Sequence, residues 1–307
     1  MGSRVPVFVL YFVSVLVWGL SWYAIEMQLG VVAPEGSVAW RMALAAALLL
    51  AFCAATGRRL RYPPRDHLFF AAQGLTLFCL NYILFYVAGA LLTSGLMAVC
   101  FSTVLVMNMA NGALFFRQPI DRSVAMGGAI GIAGFVLVFW PEVVGAEVTG
   151  RALAGLALSL VGTYSASLGN MVSVRHKRAG IAVIESNAIG IAYGALFCAL
   201  FALAHGSSFV IDSTLRYLSG LVYLSVFATV VGFGCFLTLL QRIGADRAAY
   251  ATVLFPIVAL GVSTVVEDYR WTRPAAAGVV LVLIGNVLVL LRKGRPAPAR
   301  IAALESA

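Results

Sequence analysis

Long apolar stretches alternate with short polar breaks along the whole chain, with runs at 5–25, 37–56, 67–92, 95–116, 124–141, 152–174, 181–204, 216–240, 247–266 and 274–292. Each run is close to the ~20 residues that carry a helix across ~30 Å of hydrocarbon. The pattern predicts ten transmembrane helices joined by turns of no more than about a dozen residues, too short to hold a soluble domain. Its clearest piece is the hairpin at 244–291, where two apolar runs flank the polar turn 267–274.

Moving that hairpin back by 151 positions sets Gly278 on Gly127, Gly285 on Gly134 and Arg273 on Arg122. The same offset lays the run 216–240 over 67–92 without a gap. A register held over three consecutive segments marks an internal repeat. It divides the chain into a first unit, 1–145, a second, 146–292, and a polar tail, 293–307. Each unit holds an odd number of spans, so the second enters the membrane from the opposite side. The expected fold is all-α and integral to the membrane: ten transmembrane helices as two inverted five-helix repeats around a central cavity, a transporter architecture.

Composition agrees with a membrane chain. Apolar residues make up 62% and charged residues 11%, against about half and a quarter in soluble proteins. The net charge of +9 sits in short clusters between the runs, a topological signal rather than a nucleic-acid surface. Arg151, Arg216, Arg270 and Arg273 fall in outer segments, Arg41 falls inside the second run, and the other sixteen basic residues fall on one side. Both termini are therefore expected in the cytoplasm. The first run has no small-residue cleavage site and reads as an uncleaved helix. Cys53, Cys79, Cys100, Cys198 and Cys235 all lie within runs, without metal-type spacing, and are expected to be buried thiols. No cofactor is expected, and the chain is expected to act as a monomer in the lipid bilayer.

Three stretches carry a family likeness: WGLSW at 18–22, Pro34 followed by Trp40 and Arg41, and GADRAAYATVLFPIVALGVSTVVED at 244–268 with Pro256 and Glu267. In their order, spacing and duplication the chain resembles the EamA-type ten-helix members of the drug/metabolite transporter superfamily. It departs from them at Phe116 and Arg117, where the first repeat lacks the glutamate that Glu267 supplies in the second. The resemblance implies a bacterial inner-membrane exporter of small metabolites, most like the aromatic amino-acid exporters. Other branches carry drugs, other amino acids, sugar phosphates or nucleotide sugars. A phosphate cargo would require basic groups inside the cavity, and Arg41 is the one candidate.

Polar and aromatic residues that interrupt apolar runs are the candidates for lining a cavity, since a polar group facing lipid without a partner is costly. The expected substrate-binding set is Trp18, Ser21, Phe78, Asn81, Tyr82, Phe101, Asn108, Tyr164, Ser165 and Tyr250. Helical spacing puts Phe78, Asn81, Tyr82 and Phe85 together on the third helix, offering rings and an amide on one face. A structural role stands beside each, because serine, threonine and asparagine in membrane helices also simply bond neighbouring helices. Pro256 is expected to kink the ninth helix.

Arg41, Glu185 and Glu267 lie within a turn or two of an interface by count, where side chains can snorkel to water. Glu267 is expected to close the 267–274 turn with Arg270 or Arg273. No run carries a mid-membrane carboxylate, which points to uniport or exchange rather than proton antiport. A membrane-embedded lipid-modifying enzyme is the alternative class. It is disfavoured because His67, His176 and His205 lie in or beside loops with no acid cluster near them.

Overall fold

The structure is a computed structural model, and it describes residues 5–117, 120, 122–144, 150–207, 209–232, 235–236, 238 and 245–290. In chain order the helices are α1 (Val7–Glu26), α2 (Pro34–Ala55), α3 (Pro64–Gly89), α4 (Ser94–Phe116) and α5 (Arg122–Val144). They continue with α6 (Gly150–Arg178), α7 (Val183–Ala204), α8 (Leu215–Val231), α9 (Ala245–Val266) and α10 (Arg273–Leu290). No strand occurs among the described residues. By length and composition α1, α2, α3, α4, α6 and α7 can each cross a bilayer, and the other four hold shorter apolar stretches. The chain is an all-helical, multi-pass membrane protein.

Local sequence sets the helix ends. Pro34 and Pro64 open α2 and α3 at positions whose backbone N–H would be unpaired in any case. At the far end of α2, Gly57 adopts φ 64°, and Arg58 N–H reaches back to the Cys53 carbonyl at 2.9 Å. Gly206 does the same for α7 at φ 69°, with Ser207 N–H on the Ala202 carbonyl at 2.9 Å. Both are left-handed caps that glycine adopts without a Cβ penalty.

Among the described residues three helices depart from regular α geometry, and a fourth carries an internal proline. α3 widens to π-helix over Gly74–Leu80 and α8 over Tyr223–Val231. α4 breaks at Thr103, where the Ser102 and Thr103 hydroxyls donate to the Val99 and Cys100 carbonyls at 2.6 and 2.7 Å. α9 carries Pro256 inside it.

Packing follows small residues. α2 lies along α7 and α5 along α10, while α1 packs on α9 and α8, and α6 on α4 and α3. A methyl group at Gly134 would sit 2.6 Å from the Gly278 carbonyl oxygen, and one at Gly285 would sit 2.5 Å from the Gly127 carbonyl oxygen. The α5 and α10 backbones thus touch where side chains are absent, as membrane helices do when hydrocarbon outside gives no hydrophobic drive. Trp22, Met42, Phe85, Met97, Ile191 and Leu260 belong to one continuous core. Phe8, Phe12, Val161 and Leu203 are more than half exposed, which suits a lipid surround.

Candidate functional site

Widening a helix to π geometry leaves backbone carbonyls without their usual partner four residues on, and buried carbonyls need donors. Side chains supply them. In α3, Asn81 Nδ2 donates to the Leu77 carbonyl at 3.2 Å, and Ser165 Oγ of α6 donates to the Thr76 carbonyl at 2.7 Å. In α8, Thr229 Oγ1 donates to Leu224 at 2.9 Å, and Trp18 Nε1 of α1 donates to Ala228 at 2.9 Å. Three residues expected to bind substrate, Trp18, Asn81 and Ser165, therefore hold the two π segments in place.

Aromatic rings fill the space between these helices. Trp22 meets Phe85 at 5.0 Å and Phe101 at 5.4 Å, and Phe85 meets Phe101 at 5.8 Å. Nearby, Trp18 meets Phe236 at 5.0 Å and Phe255 edge-on at 5.2 Å. Phe78 does not join them. It is buried against α7, where a methyl at Gly194 would come within 2.6 Å of its Cβ. The single face expected of Phe78, Asn81 and Tyr82 is split, because Phe78 lies in the π segment and Tyr82 in the regular helix that follows it.

Of the other expected residues, Asn108 Oδ1 accepts from Asn170 Nδ2 at 3.3 Å, and Asn111 Nδ2 donates to Ser167 Oγ at 2.9 Å, so α4 and α6 are joined by a polar ladder. Ser21 Oγ donates to the Trp18 carbonyl at 2.6 Å. Tyr164 is 45% exposed and stands on the outer stripe of α6 with Leu153 and Val161, turned from the shared core. The Tyr250 side chain lies outside the described residues.

Arg41 does not snorkel. It is 3% exposed, because its face of α2 is covered by α3 and α8, and Ser225 Oγ of α8 donates to its own carbonyl at 3.3 Å. Its guanidinium lies over the Tyr82 ring, 4.3 Å from the centroid, and its Nε and Nη1 have no hydrogen-bond partner. Beside it the Tyr86 hydroxyl donates to Gln28 Oε1, leaving Gln28 Nε2 unpaired. Gln28 was not among the sequence candidates. It falls in the polar break after the first run, where nothing marks it as buried.

Polar contacts close both ends of the bundle. On the side where α1 ends, Arg216 meets Glu26 at 2.6 Å, and Ser207 Oγ donates to Glu35 at 2.6 Å. Glu267 accepts from Ser94 N–H at 3.0 Å and from the Ser94 hydroxyl, so it caps α4 instead of closing its own turn with Arg270 or Arg273. An open hollow of about 690 Å³ lies there, lined by Tyr23, Glu26, Thr93, Arg216 and Glu267. At the other end Arg175 meets Asp66 at 2.7 Å and Arg58 meets Glu185 at 3.2 Å. Glu185, like Arg41, is buried rather than snorkelling.

The EamA-like transporter family matches the chain twice, over residues 6–140 and again over 153–291. The chain belongs to the EamA-like transporter family. It is 28% identical to a probable amino-acid metabolite efflux pump of Escherichia coli strain K12, over 90% of this chain and 92% of that one. It is 22% identical to protein PagO of Salmonella typhimurium strain LT2 over 97% of each, and 24% identical to an uncharacterized transporter of Archaeoglobus fulgidus over 91% and 97%. One crystal structure shares the fold at 16% identity, with a TM-score of 0.66 over 93% of this chain and 96% of that chain. This EamA chain is thus a transporter and not an enzyme, and its cargo is a small molecule.

Proposed function

We propose that this EamA chain exports small metabolites, neutral amino acids including aromatic ones first among them, from the cytoplasm across the inner membrane as a monomer with both termini inside. Alternating access between two inverted five-helix repeats, 1–145 and 146–292, moves the cargo. The observation that carries this reading is that contacts at one end of the bundle recur at the other end about 150 positions away. Asp66 with Arg175 is answered by Arg216 with Glu26, and Arg58 with Glu185 by Ser207 with Glu35. Gly134 on Gly278 is answered by Gly285 on Gly127, and the π segment of α3 by that of α8. A two-fold axis in the membrane plane exchanges the members of each set. Such an axis lets one arrangement open inward and its image open outward.

The interior, which sets aromatic rings beside buried polar groups such as Gln28, Arg41 and Asn81, suits a small amphipathic cargo, and amino-acid metabolites are what the relatives from Escherichia coli and Salmonella typhimurium are named for. Described carboxylates stand at helix ends or in turns, as Glu26, Glu35, Asp66, Glu185 and Glu267 illustrate. Flux then follows the gradient of the cargo, since a proton carrier needs a group that titrates inside the membrane. Uptake of labelled phenylalanine and other neutral amino acids into proteoliposomes, with and without a pH step, tests this. Absence of any amino-acid flux would overturn the cargo, and accumulation driven by the pH step alone would overturn the mechanism.

A further inference from the structure

Arginine stays charged at any physiological pH. Burying it without an anion is costly, and such a charge is kept where something pairs with it. Arg41 is in that position: 3% exposed, with Nε and Nη1 reaching no acceptor. The other buried charges are compensated, Asp66 by Arg175 and Glu185 by Arg58. No carboxylate lies within ion-pair distance of Arg41 among the described residues. The Tyr86 hydroxyl oxygen lies within hydrogen-bonding reach of the guanidinium, but it is a neutral partner whose own proton goes to Gln28, so it brings no compensating charge. The side-chain atoms left over around Arg41 are donors: its own Nε and Nη1, and Gln28 Nε2. A surplus of donors around a fixed cation is the complement of an anion.

We infer that Arg41, held over the Tyr82 ring with Gln28 close by across Tyr86, anchors a carboxylate of the cargo; this rests on the exporter reading above and gives it a recognition element. The planar guanidinium matches the two oxygens of a carboxylate, and its contact with the Tyr82 ring holds it in place before the cargo arrives. A phosphate dianion fits less well, because one guanidinium leaves it net negative and no second buried Lys or Arg stands among the described residues. A zwitterionic amino acid brings a single negative group for the arginine and an ammonium that aromatic faces can receive.

The test uses full-length protein, purified for ligand-induced thermal shifts and reconstituted for uptake, with L-phenylalanine, its carboxamide and phenethylamine as probes. Phenylalanine is expected to raise the melting temperature of the wild type, and the two analogues without a carboxylate are not. Arg41→Gln should abolish that shift and cut uptake roughly 10- to 100-fold, the usual weight of a charge-assisted hydrogen bond. Its ligand-free melting temperature should be unchanged or higher, because an uncompensated charge has been removed. Arg41→Lys should keep part of the activity. Equal competition by the carboxamide, normal uptake by Arg41→Gln, or a lower ligand-free melting temperature for that variant would each overturn the inference. Should the wild type carry no amino acid at all, the cargo proposed above falls, and phenylacetate and phenylpyruvate decide the anchor. A shift with either acid that Arg41→Gln abolishes sustains it, and no shift overturns it.

Discussion

The Glu26 carboxylate meets the Arg216 guanidinium at 2.6 Å and ties the last residue of α1 to the first turn of α8, while at the opposite end Asp66 of α3 meets Arg175 of α6 at 2.7 Å. The two bonds differ in shelter. The first pair is 57% and 29% exposed at its side chains, and the second is 27% and 10% exposed. Water screens the first more than the second, so Glu26→Gln should cost less than about 1 kcal/mol and Asp66→Asn on the order of 2 kcal/mol. Thermal melts of the two variants in one detergent check the order, and a larger loss for Glu26→Gln would contradict it.

The α5–α10 contact offers a test with its own control. Gly278→Ala places a methyl 2.5 Å from the Gly134 carbonyl oxygen and must push the helices apart, whereas Gly131→Ala meets nothing within 4 Å. The first should reduce the yield of folded protein, at a cost of roughly 1–3 kcal/mol. The second should melt within about 0.5 kcal/mol of wild type. Size-exclusion profiles and melting temperatures read both.

Tyr82 and Tyr164 were equal candidates by sequence and are unequal in the fold. Tyr82→Ala removes the ring beneath Arg41 and should lower uptake roughly 10- to 30-fold, since a desolvated cation–π contact is worth up to about 2 kcal/mol. Tyr164→Ala trims a side chain on the exposed stripe of α6 and should leave uptake unchanged. Initial rates in proteoliposomes, normalised to inserted protein, decide the matter.

Glu267 holds the start of α4 through Ser94, which is a capping role. Glu267→Ala should destabilise by about 1 kcal/mol. Glu267→Gln should retain uptake with the same response to an imposed pH step as the wild type. A pH-driven accumulation that Glu267→Gln abolishes would make this carboxylate the coupling group.

Among the described residues each of the ten apolar runs overlaps a helix, because in hydrocarbon every backbone group must be satisfied within its own segment and length alone then marks the element. Residue-level placement was less legible. The extra residue of a π turn leaves no trace in composition, so counting by 3.6 put Phe78 and Tyr82 on one face, although one packs on α7 and the other carries Arg41. Trp18, Asn81 and Ser165 were visible as polar interruptions, but their acceptors are carbonyls that become available only when α3 and α8 widen. Arg41 looked close enough to an interface to reach water, since distance along one helix says nothing about the helices that cover it. Glu267 looked bound to its own turn, yet Asp268 adopts φ 55° just after it and its carboxylate meets Ser94.

The ion pairs at the two ends have a consequence for how the halves recognise each other. Glu26 and Asp66 belong to the first half, and Arg175 and Arg216 to the second. Under the two-fold proposed above, two antiparallel copies of the first half would set Glu26 against Asp66, acid against acid. Two copies of the second would set Arg175 against Arg216, base against base. A pair of first halves would keep one attraction, Arg58 against Glu35, so made as separate polypeptides 1–145 and 146–307 should prefer one another to themselves. Charge reversal at Glu26 and Asp66 together should let the second half tolerate a copy of its own kind no better, while leaving the first half repelled from the second at both faces of the membrane.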